Sequence, residues 1–283
     1  MSPQSRRSFV HSTGLAALGL SIAVPLRADQ TASGSPTGAP APTAAPTGAS
    51  TGTPSDWLPM QDPAMVKEMV TVSHFDAKRV RELVEQHPSL ANASIDWGFG
   101  DWEDALGAAS HTGRREIAEV LLAHGARISI FAAAMLGQLD VVKAFLAARP
   151  GVQRTLGPHS ITLLAHAKAG GADAAPVVKY LEEVGDADRR PPTAPLDAAD
   201  RDAIVGRYTF GSGPRDYFDV DVTKEQLGLV RPGTMRRGLA HTGALVFFPT
   251  GAPSVKIAFA RTGDKVTQMT LAEPDVYLTA KRT

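Results

Sequence analysis

Apolar residues recur at helical spacing in four segments of the chain. In each segment three apolar positions follow the i, i+3, i+4 stripe of a core-facing helix. The four triplets are Val80, Leu83, Val84; Ile117, Val120, Leu121; Val141, Ala144, Phe145; and Val177, Tyr180, Leu181. The pattern predicts four amphipathic helices between residues 63 and 186.

Short stretches of small residues precede these helices and end at a turn. Ala108 and Ala109 precede the second helix, and Gly113, Gly137 and Gly171 mark the turns of the last three units. Glycine adopts the left-handed backbone of such turns at low cost. Each segment is therefore predicted to be a two-helix unit. Because one such unit cannot bury its apolar face alone, the sequence predicts a stack of about four.

The units resemble the ankyrin repeat. The second unit carries the resemblance best, through Leu106, Ala109, Gly113, Glu116, Ile117, Leu121, Leu122, Gly125 and Ala126. The spacing between units departs from the ankyrin period of about 33 residues, because Ile117 and Val141 are only 24 residues apart. The resemblance implies an irregular ankyrin-repeat domain over residues 63–186 and a protein-binding role.

A Pro-rich linker at residues 187–195 separates this region from one with a different pattern. From residue 196 to residue 283, short alternating runs are separated by turns that contain Gly or Pro, which is typical of an antiparallel barrel or sandwich. The eight predicted strands are Val205–Phe210, Tyr217–Val222, Gln226–Val230, Arg236–Ala240, Leu245–Phe248, Val255–Ala260, Val266–Leu271 and Val276–Ala280. The predicted fold class is α + β multidomain, a short helical stack followed by a small eight-stranded antiparallel β-barrel or sandwich.

The order of these runs resembles the lipocalin-like domain that follows serine β-lactamase-type hydrolase domains. The resemblance rests on Ile204–Tyr208, Leu245–Phe248, Val255–Phe259 and Lys265–Leu271. It implies an accessory role, since no hydrolase segment accompanies the domain in this sequence.

The N-terminal residues resemble a twin-arginine export signal. Arg6 and Arg7 precede Phe9 and a mildly apolar run from Thr13 to Leu26, so residues 1–28 are predicted to be a signal peptide. An ordinary Sec signal or a signal anchor is the alternative. Residues 29–55 consist almost wholly of Thr, Ala, Pro, Gly and Ser and are predicted to be a disordered linker. The expected location is periplasmic or secreted, with membrane contact only through an uncleaved signal.

Charge and cysteine content exclude several classes of function. The 29 basic and 29 acidic side chains balance, so a nucleic-acid partner is not expected. The chain has no cysteine, which excludes disulfides, thiol catalysis and cysteine-ligated metals. No nucleophile elbow or dinucleotide-binding glycine motif is present, so neither a catalytic residue nor a cofactor is predicted.

One segment between the first two units stands out for its aromatic and acidic residues. It holds the candidate partner-binding residues Trp97, Phe99, Asp101, Trp102 and Glu103. Tryptophans with acidic neighbours on a rigid scaffold suit a binding hot spot. The alternative is that Trp97 and Phe99 cover the exposed end of the stack.

Histidines and barrel aromatics give weaker predictions. The eight histidines show no i, i+4 pair, so no metal site is predicted, and His74, His87, His111, His124 and His166 are expected at surfaces or turns.

An eight-stranded barrel either encloses a small ligand or is filled by its own side chains. The candidate ligand-binding residues are Tyr208, Phe210, Phe247 and Phe259.

The sequence thus predicts an exported, non-catalytic interaction scaffold whose partner is an unidentified protein or peptide. Binding of a small apolar ligand by the β-domain and an accessory role beside an exported enzyme are the alternatives.

Overall fold

The computed structural model describes residues 56–273 and 276–283. The predicted signal peptide and linker, residues 1–28 and 29–55, lie outside the described residues. In this part of the chain no helix combines the length and the hydrophobicity that crossing a membrane requires.

Eight helices form four consecutive pairs, as the apolar stripes predict, and the two helices of each pair pack against each other. They are α1 Pro63–Val72, α2 Ala77–Gln86, α3 Ala105–His111, α4 Arg115–Ala123, α5 Ile130–Met135, α6 Leu139–Ala148, α7 Leu163–Ala169 and α8 Ala175–Val184. The first helices of successive pairs pack side by side, α1 on α3, α3 on α5 and α5 on α7. Among the second helices, α2 packs on α4 and α6 on α8.

Local signals fix where these helices begin and turn. The side chains of Asp76, Asp104, Ser129 and Thr162 accept hydrogen bonds from backbone N–H groups of the first helical turn, which satisfies donors that the helix cannot pair internally. Gly113 turns the chain at φ +69°, and a Cβ there would overlap the carbonyl oxygen of Ala169. Only glycine fits this position, because the backbone of α7 lies directly against it.

The third apolar triplet was wrong by one residue. Val141 is 36% exposed, whereas Val142 is fully buried. Helix α6 packs against α5 and α8, and Val142 with the half-buried Phe145 and Leu146 faces that core. The other three triplets lie in the core as predicted.

A two-stranded hairpin joins the first and second pairs, in the segment that holds the candidate partner-binding residues. Strands β1 (Ser94–Asp96) and β2 (Trp102–Asp104) are antiparallel, with Ile95 opposite Glu103. Successive side chains of a strand face opposite sides. Asp101 and Glu103 are therefore buried on one side of the hairpin, while Trp102 is exposed on the other.

The C-terminal part is a closed antiparallel barrel that confirms all eight predicted strands. They are β3 Gly206–Thr209, β4 Tyr217–Thr223, β5 Gln226–Val230, β6 Arg237–Gly243, β7 Val246–Pro249, β8 Lys256–Thr262, β9 Lys265–Ala272 and β10 Tyr277–Arg282. Each strand pairs with its neighbours in sequence, and β10 pairs with β3 to close the barrel. This closure is consistent with a lipocalin-like barrel. A short helix that the sequence did not predict, α9 (Ala198–Ile204), precedes β3.

Candidate metal centre

Three histidines and one glutamate converge between the hairpin and the helical stack. His74 follows α1, Glu103 lies on β2, His111 ends α3, and His159 lies in the turn Pro158–Ser160 before α7. One nitrogen or oxygen atom from each of these four side chains lies within 4.8 Å of the others. We call these four residues the His/Glu cluster. They come from four separate segments, so only the tertiary structure brings them together.

The carboxylate of Glu103 lies at the centre of the cluster. Its Oε1 atom is 2.9 Å from His111 Nε2 and 3.4 Å from His159 Nε2. Its Oε2 atom is 3.5 Å from His74 Nε2, and the Nε2 atoms of His74 and His111 are 3.2 Å apart. All three imidazoles thus point the same nitrogen into one small volume.

These four distances are close to the edge length of a tetrahedral metal site. Zinc binds histidine nitrogen and carboxylate oxygen at about 2.0–2.2 Å, and in a tetrahedron this bond length places neighbouring ligand atoms about 3.4 Å apart. The observed separations of 2.9–3.5 Å lie around that value. The cluster therefore has the spacing of a metal ligand set before any ion is added.

Outer partners fix the orientation of two of the histidines. His159 Nδ1 lies 2.7 Å from Asp101 Oδ2, and the backbone N–H of His159 donates to Asp101 Oδ1 over 2.8 Å. His74 Nδ1 donates to the carbonyl oxygens of Val70 and Thr71, at 3.1 and 3.0 Å. Since a carbonyl only accepts, this proton must sit on Nδ1, which leaves Nε2 of a neutral His74 with its lone pair in the cluster.

The position of the Glu103 carboxylate is also fixed by a hydrogen bond and by burial. Trp97 Nε1 donates to its Oε2 atom over 2.6 Å, and the residue is only 1% exposed. Burial alone would raise the pKa of Glu103, but hydrogen bonds from His111 and His159 and the positive charge of the histidines outweigh it and lower the pKa to about 2. The carboxylate is therefore ionised at neutral pH and ready to bind a cation.

The pKa values of His159 and Asp101 are also shifted toward the charged forms. Burial opposes the charged form of His159, but its hydrogen bonds to Asp101 and Glu103 raise its pKa to about 9. For Asp101, burial works against ionisation as well, and hydrogen bonds from His159 and Arg237 lower its pKa overall. With no metal bound, a proton on His159 thus supplies the positive charge that the two carboxylates require.

The barrel contributes to this arrangement through one arginine. Arg237, at the start of β6, donates from Nη2 to Asp101 and to the carbonyl of Thr250. Asp101 in turn holds His159. A chain of charged hydrogen bonds therefore runs from the barrel to the His/Glu cluster.

Solvent reaches the cluster from the histidine side. The side chains of His74, His111 and His159 are 22%, 11% and 24% exposed, whereas that of Glu103 is fully buried. The histidine side is therefore the side on which the cluster lies nearest to solvent.

The five residues predicted to bind a partner lie in different environments. Trp97 packs against the helical core, whereas Phe99 packs against the barrel core and so does not cover the end of the helical stack. Asp101 and Glu103 are buried in the cluster, and of the five residues only Trp102, at 63%, is an exposed large apolar side chain.

The barrel aromatics fill the barrel. Tyr208, Phe247 and Phe259 are buried, and their rings pack edge to face, with Phe259 5.3 Å from Tyr208 and 5.6 Å from Phe247 between ring centroids. The Tyr208 hydroxyl donates to the carbonyl of Ile204 over 2.7 Å. Phe210 is half-buried at one end, in contact with Phe218.

Sequence spacing could not reveal the cluster. The pattern of two histidines on one helix face does not apply to His74 and His111, because His74 follows α1, His111 ends α3 and the two are 37 residues apart. The one local signal was the acidic and aromatic segment that contains Trp97, Asp101 and Glu103. His87 and His124 lie outside the cluster. The expectation of a surface or turn position was wrong for His166, which is fully buried on α7 beside His111, with 6.3 Å between the ring centroids.

Comparisons with known proteins do not assign a family or a function to this chain. A scan against protein-family models gives no match, and a search of curated proteins gives no significant match.

Proposed function

We propose that this protein binds one divalent transition-metal ion through His74, Glu103, His111 and His159. The observation that carries the proposal is the convergence of three imidazole nitrogens and a buried carboxylate within 4.8 Å of one another. Imidazole and carboxylate ligands suit zinc and its neighbours in the first transition row, while calcium and magnesium prefer all-oxygen sites. The carboxylate–histidine contact between Asp101 and His159 is the outer-shell support that metal-binding histidines usually have.

A single proton gives fewer nitrogen and oxygen atoms of the cluster a favourable partner than a metal ion at its centre would. A protonated His159 bridges Asp101 and Glu103. It leaves His74 Nε2, which carries no proton in the neutral ring, facing Glu103 Oε2 at 3.5 Å and His111 Nε2 at 3.2 Å. His111 has one Nε2 proton at most and can donate it well to only one of these neighbours. A cation at the centre is attracted to all four atoms at once.

Metal titration of the full chain tests this proposal. After treatment with a chelator, we expect zinc and cobalt to bind with a stoichiometry of one ion per chain, and bound cobalt to show the strong visible absorption of tetrahedral coordination. The His111→Ala variant should bind at least about a hundredfold more weakly, because an inner ligand is lost. His87→Ala removes a histidine outside the cluster and should bind like the wild type. Equal affinity in the two variants, or no stoichiometric binding, would contradict the proposal.

A second candidate function is recognition of a protein or peptide partner by the helical stack. It is favoured by the exposure of Trp102, at 63%, beside a groove of about 560 Å³. Phe99, Phe131 and Pro158 line this groove together with Trp102. The groove lies beside stacked helix pairs, where an ankyrin-type protein would bind its partner, and the predicted export signal would place that partner outside the cytoplasm.

Replacement of Trp102 by alanine tests this second function. We expect cross-linking to a partner in an extract of the source cells to fall about tenfold or more, since exposed tryptophans carry much of the binding energy of interfaces. Tyr277→Ala removes a residue that is 76% exposed elsewhere on the barrel and should leave cross-linking unchanged. If both variants retain it, the groove is not the recognition surface.

A further inference from the structure

A small cavity separates the tip of the hairpin from one end of the barrel. Its volume is about 180 Å³, and Trp97 and Phe99 of the hairpin and Phe218 and Leu229 of the barrel form its apolar wall. Two arginines, Arg231 and Arg237, also line it. We propose that this cavity binds a small monocarboxylate with an apolar substituent.

Arg237 provides the first argument, because its guanidinium is buried but only partly hydrogen-bonded. The residue is 7% exposed, and its hydrogen bonds all leave from Nη2, toward Asp101 and the Thr250 carbonyl. Its Nε atom is buried without a partner. Neither Asp101 nor Thr250 lines the cavity. Buried charged donors are nearly always paired, so Arg237 brings an incompletely compensated positive charge to the cavity wall.

Arg231 adds a second positive charge with little compensation. Its Nε donates to the carbonyl of Arg215 over 3.2 Å, and its nearest carboxylate, Asp216, is 4.0 Å away. Its guanidinium lies 5.2 Å from the centroid of the Phe210 ring. Asp101, the one carboxylate bonded to Arg237, also carries the bond to His159. The two arginines thus make the cavity electropositive, and a carboxylate is the planar anion that matches a guanidinium best.

The apolar wall of the cavity determines which substituent of the carboxylate fits. Three aromatic rings and a leucine face it, so an inorganic anion would leave this apolar surface in water. A cavity of about 150 Å³ accommodates benzene, and the observed volume therefore fits one ring or a short aliphatic chain beside the carboxylate. Met235, 48% exposed, lies at the rim, where a ligand can enter.

Fluorine NMR with para-fluorobenzoate tests the site on the full chain. The chain is treated with chelator first, so that binding of the probe to a metal at the His/Glu cluster cannot contribute, and failure of the metal proposal leaves this test unaffected. We expect saturable binding of one probe per chain, and at least about tenfold weaker binding of the neutral para-fluorobenzamide, because the charged hydrogen bonds to arginine are lost.

Three variants locate the probe. Arg231→Met should weaken binding of para-fluorobenzoate about tenfold or more, and Met235→Trp should abolish it by filling the cavity from its exposed rim. Arg236→Met is the matched control, since Arg236 bonds to Asp221 and to the Gln226 carbonyl and does not line the cavity. The proposal is overturned if benzamide binds as well as benzoate, if Met235→Trp binds like the wild type, or if no saturable binding occurs and the cavity holds water only.

Discussion

Replacing Glu103 with alanine is expected to lower the free energy of unfolding of the metal-free protein by about 3–5 kcal/mol, the usual cost of removing one partner of a buried ion pair. Glu103 accepts hydrogen bonds from Trp97 Nε1 and His111 Nε2, at 2.6 and 2.9 Å, and lies 3.4 Å from His159 Nε2. Without the carboxylate, these groups remain in the interior with fewer acceptors. The loss is measured by urea denaturation in the presence of a chelator.

The control for this variant is a glutamate of the same chain on the surface. Glu116 has a side chain that is 70% exposed and bonds to Arg81 over 3.2 Å. Because exposed ion pairs contribute little, Glu116→Ala should cost less than about 1 kcal/mol. A similar small loss in Glu103→Ala would show that the cluster does not contribute to the stability of the fold.

Zinc is expected to raise the Tm of the chelator-treated protein by about 8–16 °C at a free concentration a thousand times its dissociation constant. At that concentration binding contributes about 4 kcal/mol to the folded state, and each kcal/mol shifts Tm by about 2–4 °C in a protein of this size. The ligands come from two helix pairs, the hairpin and the turn before α7. Because unfolding separates these segments, the ion binds the folded chain almost exclusively. Differential scanning calorimetry with increasing zinc measures the shift, and magnesium should leave Tm nearly unchanged.

Two histidines with similar local surroundings provide the matched comparison. His74 Nδ1 bonds to the carbonyl of Val70, four residues earlier, and His124 Nδ1 bonds to that of Val120 in the same way over 2.8 Å. Only His74 belongs to the cluster. We therefore expect His74→Ala to lose most of the zinc-dependent shift and His124→Ala to keep it. If the shift survives in His74→Ala, zinc binds elsewhere on the chain.

Elements with a strong periodic pattern were predicted well. All eight barrel strands were found, because alternating residues and turns with Gly or Pro are properties of neighbouring residues. The apolar stripes of α2, α4 and α8 were also correct, because helical periodicity is likewise a property of neighbouring residues. The prediction failed at Val141, since the burial of α6 depends on which helices pack against it. The two strands of the hairpin were not among the predicted strands, because each has only three residues.

The sequence by itself determined the four helix pairs, the eight strands and the chemical character of the segment around Trp97 and Glu103, since hydrophobic periodicity and turn residues act over a few positions. Only the tertiary structure decided that His74, His111 and His159 meet at Glu103, and that Arg237 of the barrel holds Asp101. These contacts join residues 8 to 136 positions apart, and their distances depend on how helices, hairpin and barrel pack. The physical reason is that coordination and charge pairing depend on separations of a few ångströms in space, which the spacing of residues along the chain does not record.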